Sequence, residues 1–187
     1  MHEILPSPWV CRFATLIPTS GRVLDVACGS GRHARLLANM GYHVEAVDRD
    51  RLALVALGRM QGIDTRVADL ELEPWPYGGA CFDGVVVTNY LYRPRFIELI
   101  DALRPGGVLI YDTFMVGNET LGKPSNPDFL LQPTELFDRV RPRLTVMAFE
   151  QGRVDVPKPA FLQRICAIAA GVGRLPIDGE AKNQNEP

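Results

Sequence analysis

Strand-like apolar segments alternate with segments of helical periodicity along the first 114 residues of this chain. Strands that are separated by helices pair in parallel through right-handed crossovers, so this alternation predicts an α/β fold with a parallel sheet. Five strands are predicted, at residues 22–27, 43–48, 63–69, 82–90 and 108–114.

Capping residues mark where the intervening helices begin and end. Ser7 followed by Pro8 predicts one helix start, Asp50 another and Pro94 a third, while Gly41 ends the helix that follows the first strand. Apolar residues at helical spacing predict the helix faces: Trp9, Phe13 and Leu16; Ala34, Leu37 and Ala38; Leu52, Val55 and Ala56; and Phe96, Ile97, Ile100 and Leu103 on an inward face.

The pattern changes after the fifth strand. A Gly/Pro/Asn-rich loop at 116–132 leads to a short helix at 133–140, and two further strands follow at 144–151 and 161–170 without a clear helix between them. This ending predicts an antiparallel addition to the sheet. We therefore expect a Rossmann-like, doubly wound, mostly parallel seven-stranded sheet with an antiparallel C-terminal strand. A single domain is predicted over 1–178, opening with an N-terminal helical segment at 1–20, and a polar flexible tail over 179–187.

Composition limits the classes of function. A formal net charge of -2 argues against broad binding to nucleic acid or to an anionic membrane. No apolar run approaches the roughly 20 residues that span a bilayer, and the first residues lack a secretory pattern. The four cysteines are dispersed without a CxxC pair, so we expect reduced thiols, no metal site and a cytoplasmic protein. The oligomeric state is not predicted.

The turn after the first strand carries the most informative motif, VLDVACGSGRH at 23–33. Residues 29–34 fit the dinucleotide fingerprint G-x-G-x-x-[G/A], although glycines at such a turn also serve tight packing. Asp25 argues against a pyrophosphate, because a carboxylate just before the loop repels one. It suits an ammonium or sulfonium group, and S-adenosylmethionine (SAM) carries both and has no phosphate.

With these residues in view, the sequence resembles the class I SAM-dependent methyltransferases. The resemblance rests on VLDVACGSGRH, VEAVD, RVADLE, FDGVVVTNYLY and LRPGGVLIYDTF, in that order through about residues 20–115. Within the family, the chain is similar to small methyltransferases of the tellurite-resistance type. The resemblance implies SAM as cofactor and transfer of its methyl group to a small-molecule acceptor, with nucleic acid and membranes not expected as partners.

The resemblance also implies a role for each cofactor-binding residue. Asp48 would accept hydrogen bonds from both ribose hydroxyls, and Asp69 would accept one from the adenine amino group. Asp25 would face the methionyl end of SAM, partly through water. The other expected cofactor-binding residues are Ala27, Cys28, Gly29 and Gly31 as a close-approach wall, Arg49, Leu70 beside the adenine, and Asn89 near the methyl donor.

Local explanations stay open for several of these residues. Asp48 and Asp50 can be helix N-caps, Asp69 can merely end a strand, and Cys28 can be a small packing residue. His33 is interpreted as a helix-surface residue rather than a base. Ala27 stands where the family often has glycine, so the turn there must have a negative φ or tolerate a Cβ atom.

The acceptor is expected at the carboxyl edge of the sheet, where open α/β sheets bind ligands. Three substrate-facing candidates lie there: Tyr90 for stacking or hydrogen bonding, Arg93 for an anionic group, and Glu119 in the loop over 116–132. Asn118 is a further polar candidate in that loop. The segment NYLYRP lacks the prolines of the [DNS]PPY signature of amino-methylating nucleic-acid enzymes. No catalytic base is identified.

Two other functions remain compatible with the sequence. One is a non-catalytic SAM-binding or scaffold protein that keeps the fold. The other is an NAD(P)-dependent oxidoreductase that uses residues 29–34, although this interpretation leaves Asp25 and the RPGG segment before the fifth strand unexplained.

Overall fold

Seven strands form a single sheet in the computed structural model, which describes residues 5–169. The strands are β1 (Arg22–Val26), β2 (His43–Asp48), β3 (Ile63–Val67), β4 (Phe82–Thr88), β5 (Leu103–Phe114), β6 (Thr145–Val154) and β7 (Ala160–Ile168). The helices are α1 (Pro8–Phe13), α2 (Arg32–Asn39), α3 (Arg51–Leu57), α4 (Phe96–Asp101) and α5 (Glu135–Val140). Short 3-10 turns lie at Ala14–Leu16, Arg93–Arg95, Asn118–Thr120 and Pro127–Phe129.

The strand order is β3-β2-β1-β4-β5-β7-β6. Strands β1 to β5 pair in parallel, and β7 is antiparallel to both β5 and β6, so the predicted fold class is confirmed. Strands β3 and β4 end two residues earlier than predicted. Asp69 instead accepts from the backbone amides of the following turn, and Asn89 adopts a left-handed φ of 54°. At both residues the backbone therefore leaves the strand direction at the carboxyl edge of the sheet.

The helices cover both faces of the sheet. Helices α1, α2 and α3 pack with one core cluster, and α4 and α5 pack with the other. The sequence of β4 does not alternate between apolar and polar residues, because both faces of the strand are buried. Val86 belongs to the cluster under α1 to α3, while Val85 and Val87 belong to the cluster under α4 and α5. A strand buried on both faces is apolar at consecutive positions.

The predicted caps at Ser7 and Asp50 are confirmed, but the predicted face of α3 is wrong and that of α4 is partly wrong. Ser7 caps α1 and Asp50 caps α3. In α3, however, Leu52, Val55 and Ala56 are all exposed. Leu54 and Leu57 face the core instead. Which residues of so short a helix are buried depends on the elements that it packs against. The spacing of its apolar residues alone does not decide this.

Helix α4 shows the same error. Phe96 and Ile100 are buried as predicted, but Ile97 is exposed and Leu99 takes the inward position. Leu103 begins β5 instead of ending the helix, because it pairs with Phe82 across an irregularity in the β4–β5 ladder.

Some expectations concern residues outside the described range, and others concern a membrane-spanning helix or a metal site. The predicted domain boundary at residue 178 and the polar tail at 179–187 lie outside residues 5–169 and stay predictions. Within 5–169, no helix has both the length and the apolarity to cross a bilayer. The same residues contain no group of three or more His, Cys, Asp or Glu side chains arranged to hold a metal ion.

Candidate functional site

The turn between β1 and α2 is held in a left-handed backbone conformation at three residues. Ala27, Gly29 and Gly31 have φ values of 50°, 55° and 77°. Ala27 therefore tolerates its Cβ atom at positive φ. A Cβ atom at Gly31 would lie 2.3 Å from Leu57 Cδ1, so this glycine serves close packing with α3. A Cβ atom at Gly29 would meet nothing within 4 Å, so the turn leaves open space there.

Asp25 lies on β1 just before this turn, and it is buried with a relative exposure of 1%. Neither carboxylate oxygen makes a hydrogen bond with a described residue. Burial raises the pKa of the Asp25 carboxyl to about 7, and the positive charge of the Arg32 guanidinium offsets this only in part. A buried carboxylate without a partner favours a positively charged ligand group nearby and opposes a phosphate.

Asp48 ends β2 and ties two backbone segments together. Its Oδ2 accepts from the Gly29 amide at 2.7 Å, and its Oδ1 accepts from the Asp50 amide at 2.8 Å. A carboxylate has about four acceptor positions, so both oxygens can still accept from a ligand. The helix cap itself is Asp50, which leaves Asp48 free of that role.

A cavity of about 200 Å³ opens beside Asp48. Its lining residues come from the ends of β1 to β4: Ala27, Asp48, Arg49, Ala68, Asp69, Leu70, Glu71 and Tyr90. Three of these carry carboxylates and one carries a guanidinium, and Arg49 reaches Asp69 only at 3.9 Å with most of its side chain in solvent. We call this the acidic cavity. Its acceptors suit a ligand that offers hydroxyl and amino donors.

The structure places five of the ten predicted cofactor-binding residues in one cavity. These five line the acidic cavity: Ala27, Asp48, Arg49, Asp69 and Leu70. Asn89 lines a second cavity next to it, and Asp25, Cys28, Gly29 and Gly31 line neither. The Cys28 side chain packs in the core, and burial raises the pKa of its thiol, as expected for a packing residue.

The second cavity measures about 340 Å³ and lies beyond the ends of β4 and β5; we call it the large cavity. Four segments wall it: the residues before α1, the turn into α2, the loop after β5 and the β6–β7 turn. Its lining residues are Leu5, Pro6, Ser7, Pro8, Arg32, Asn89, Asp112, Phe114, Asn118, Leu121, Gly122, Lys123, Val154, Pro157, Lys158, Pro159, Ala160, Leu162 and Arg164.

His33 is buried, with 1% relative exposure, so its interpretation as a helix-surface residue is wrong. Its Nε2 accepts from the Ser7 amide at 3.0 Å, which leaves the proton on Nδ1, 3.2 Å from Thr88 Oγ1. Burial lowers the pKa of His33 to about 3, so the ring is neutral at physiological pH. The imidazole links α2, β4 and the segment before α1.

Asp112 continues this network at the edge of the large cavity. Ser7 Oγ donates to Asp112 Oδ2 at 2.6 Å, and Arg164 Nε donates to Asp112 Oδ1 at 3.3 Å. Ser7 and Asp112 are 105 residues apart, so no local pattern could have revealed this contact. The N-terminal segment is thereby fastened across the carboxyl edge of the sheet.

The three predicted substrate-facing residues do not meet at the large cavity. Tyr90 lines the acidic cavity, where its hydroxyl is buried without a partner among the described residues and burial raises its pKa. The Arg93 guanidinium forms two hydrogen bonds with Glu135, at 2.8 and 2.9 Å, and lines neither cavity. Glu119 also lines neither and accepts from the Gly117 amide at 2.8 Å.

Sequence reasoning missed the cationic residues of the large cavity, above all Lys123 and Lys158. One signal was present for Lys158. A strand antiparallel to β5 must begin at the carboxyl edge, so the turn before it, which contains VPKP, belongs at the site.

Comparison with known proteins agrees with this architecture. A family model described as a methyltransferase domain matches residues 23–107. A tRNA U34 carboxymethyltransferase of Methylococcus capsulatus is 38% identical over 116 residues, which cover 56% of this chain and 36% of that protein. The chain spans only 34% to 49% of the length of the first curated relatives that it matches.

Two solved structures share the fold over most of the chain. A SAM-dependent methyltransferase of Methanosarcina mazei superimposes with a TM-score of 0.69 at 16% identity, covering 89% of this chain and 99% of the other. TehB from Haemophilus influenzae, the tellurite-resistance type of the resemblance, gives 0.73 at 18% identity, covering 88% and 62%. Residues 23–107 therefore match a methyltransferase domain, and the sheet topology of the described residues is the one found in solved SAM-dependent methyltransferases.

Proposed function

We propose that this chain transfers the methyl group of SAM to a small-molecule acceptor. The observation that carries the proposal is the charge of the acidic cavity, where Asp48, Asp69 and Glu71 face a single arginine. Such a lining suits a nucleoside with free hydroxyl and amino groups and repels a pyrophosphate. It favours SAM over the nicotinamide dinucleotides that the glycine fingerprint also allows.

The residues present fit SAM along the length of that molecule. Asp48 would accept from the ribose hydroxyls with the lone pairs that the backbone amides leave unused. Asp69 would accept from the adenine amino group, with Leu70 against the base. Asp25 would compensate the positive charge of the methionyl end, and the open space at Gly29 admits a close approach to the turn.

When bound, SAM supplies a methyl group already activated by its sulfonium. With SAM held by Asp25, Asp48 and Asp69, the acceptor nucleophile would gain the bond to the methyl group, and sulfur would keep the electron pair of the bond that breaks. The chain contributes mainly alignment and exclusion of water. The end of β4 lies between the two cavities, because Asn89 lines the large cavity and Tyr90 the acidic one.

The size of the large cavity favours a small acceptor. Its volume of about 340 Å³ falls within the ~300–1,000 Å³ that is typical of small-molecule sites. The relative named for tRNA suggests a nucleic-acid acceptor instead. A formal net charge of -2 gives this chain no general attraction for a polyanion, so the smaller acceptor is preferred.

Two glycines offer a matched test of cofactor binding. Gly29 and Gly41 both have positive φ, 55° and 90°, and neither has an atom within 4 Å of an added Cβ atom. Alanine at either position should cost about 1–2 kcal/mol in backbone strain. Only Gly29→Ala places a methyl group in the proposed SAM space, so we expect it alone to weaken S-adenosylhomocysteine binding about tenfold or more in calorimetric titrations.

Equal affinity in the two variants would contradict the placement of SAM at this turn. Stabilisation of the wild-type protein by NAD but not by S-adenosylhomocysteine would reject the proposed function. Methyl transfer itself is tested with radiolabelled SAM, a collection of small molecules and a tRNA pool. Label found only in tRNA would refute the small-molecule acceptor, and binding without any labelled product would favour the non-catalytic alternative.

A further inference from the structure

The large cavity carries an excess of positive charge. Arg32, Lys123, Lys158 and Arg164 contribute cationic groups to its lining, and Asp112 contributes the one carboxylate among its described lining residues. Asp112 is compensated by Arg164, which also approaches Glu150 at 3.9 Å. The remaining three cations therefore face the cavity without a carboxylate in its lining to balance them.

These three cations have no ion pair among residues 5–169. Arg32 donates to the backbone carbonyl of Leu5 at 3.3 Å, which is a neutral acceptor. Lys123 and Lys158 form no salt bridge with any described residue. The whole chain has only three lysines and a net charge of -2, so two lysines at one cavity run against its general composition.

Asn118 joins the two lysine-bearing segments to each other. Its Nδ2 donates to the carbonyl of Pro124, next to Lys123, at 3.1 Å. Its Oδ1 accepts from the Phe161 amide, just after the β6–β7 turn, at 3.3 Å. Asn118 is only 2% exposed. Its two hydrogen bonds therefore connect the loop after β5 to the β6–β7 turn from a buried position. The backbone that carries both lysines is therefore organised before a ligand arrives.

Most of the other lining residues are apolar or proline. Phe114, Leu121 and Leu162 are among them, and Pro157 and Pro159 flank Lys158 in the sequence. A ligand for such a cavity has an apolar body and an anionic group. Lysine and arginine side chains donate to a carboxylate more strongly than to a neutral amide.

We infer that the large cavity selects a small organic acid, an apolar molecule with a carboxylate that Lys123 and Lys158 recognise. As a statement about the methyl acceptor, the inference rests on the proposed function. As a statement about what the cavity binds, it depends only on the charges and packing above.

The test uses pairs of probes with the same shape and different charge. Benzoate and hexanoate are titrated against the full chain, with and without S-adenosylhomocysteine, beside benzamide and hexanamide. We expect the acids to bind about tenfold or more tightly than the amides. Lys123→Gln and Lys158→Gln should each weaken acid binding several-fold. Arg59→Gln is the control, since it removes one charge at an exposed position after α3, near the opposite edge of the sheet.

Equal binding of acids and amides would overturn the inference, as would an equal loss in the Arg59→Gln control. Tighter binding of a short RNA oligonucleotide than of either acid would also overturn it. S-adenosylhomocysteine is titrated in parallel to separate the two proposals. If it fails to bind while the acids keep their preference, the proposed function fails and the organic-acid site stands. If it binds and the acids show no preference, only this inference fails.

Discussion

Replacing Asp25 with asparagine tests the electrostatics of the cofactor site. Burial raises the pKa of this carboxyl from 3.8 to about 7. The folded protein therefore holds the proton more tightly than the unfolded chain does. The stability linked to this group is therefore fully present below about pH 4 and is lost as pH rises through 7. At about 1.36 kcal/mol per pKa unit, the loss reaches roughly 4 kcal/mol above pH 7.

An asparagine side chain has no charge to desolvate, so Asp25→Asn should be more stable than the wild type at pH 8 by up to ~4 kcal/mol. The difference should fall below ~2 kcal/mol at pH 5, because the wild-type carboxyl is then protonated in the folded state. An unsatisfied amide costs a similar amount at every pH and does not alter this trend. The measurement is urea denaturation followed by circular dichroism from pH 5 to 8, with Asp64→Asn at an exposed site on β3 as the matched control.

The same substitution should weaken SAM binding although it stabilises the fold. The cationic methionyl end would lose its compensating carboxylate, and wild-type affinity should rise with pH up to about 7 while the affinity of Asp25→Asn stays nearly constant. A pH-independent stability difference would refute the argument that Asp25 is buried without a partner. A stability gain with unchanged SAM affinity would refute its proposed contribution to the cofactor site.

Three further predictions concern how the site is built. Gly31→Ala should lower the free energy of unfolding by more than ~2 kcal/mol, because its Cβ atom would lie 2.3 Å from Leu57 at a φ of 77°; an unchanged melting temperature would contradict this. Ser7→Ala should cost ~1–2 kcal/mol in chemical denaturation, since a helix cap and a buried hydroxyl contact are lost, with Ser125→Ala as an exposed control. Burial by itself raises the pKa of Glu135, but hydrogen bonds, chiefly from Arg93, outweigh it and lower that pKa to about 2. The stability from this pair should therefore be lost as pH falls from about 4 towards 2, and Glu135→Gln should flatten that part of the curve. The same acid slope in wild type and Glu135→Gln would show that the pair adds no pH-dependent stability.

Local chemistry made the acidic cavity predictable. Asp48 and Asp69 stand at the ends of strand-like segments, and parallel strands bring their carboxyl ends to one edge whatever their side chains are. The caps at Ser7 and Asp50 are equally local, since each side chain bonds to an amide two residues later. Such features need no knowledge of what packs against them.

The predictions were wrong or incomplete for residues whose surroundings are set by packing between segments that are distant in the sequence. His33 has the sequence context of a polar residue on a short helix, yet Ser7 and Thr88 approach it from elsewhere in the chain and account for both ring nitrogens. Arg93 lies at the expected edge, but Glu135, 42 residues later, engages its guanidinium. The role of such a side chain depends on its hydrogen-bond partner, and the spacing of residues in the sequence does not identify that partner.

The amino-acid sequence by itself determined the order of strands and helices, the glycine turn after β1, and the acids at the carboxyl ends of β2 and β3. Each of these depends on backbone conformation or on chain connectivity within a few tens of residues. Only the tertiary structure decided what the large cavity contains. Its walls come from the N-terminus, the loop after β5 and the β6–β7 turn, and docking of these separate segments places Lys123 and Lys158 at one cavity.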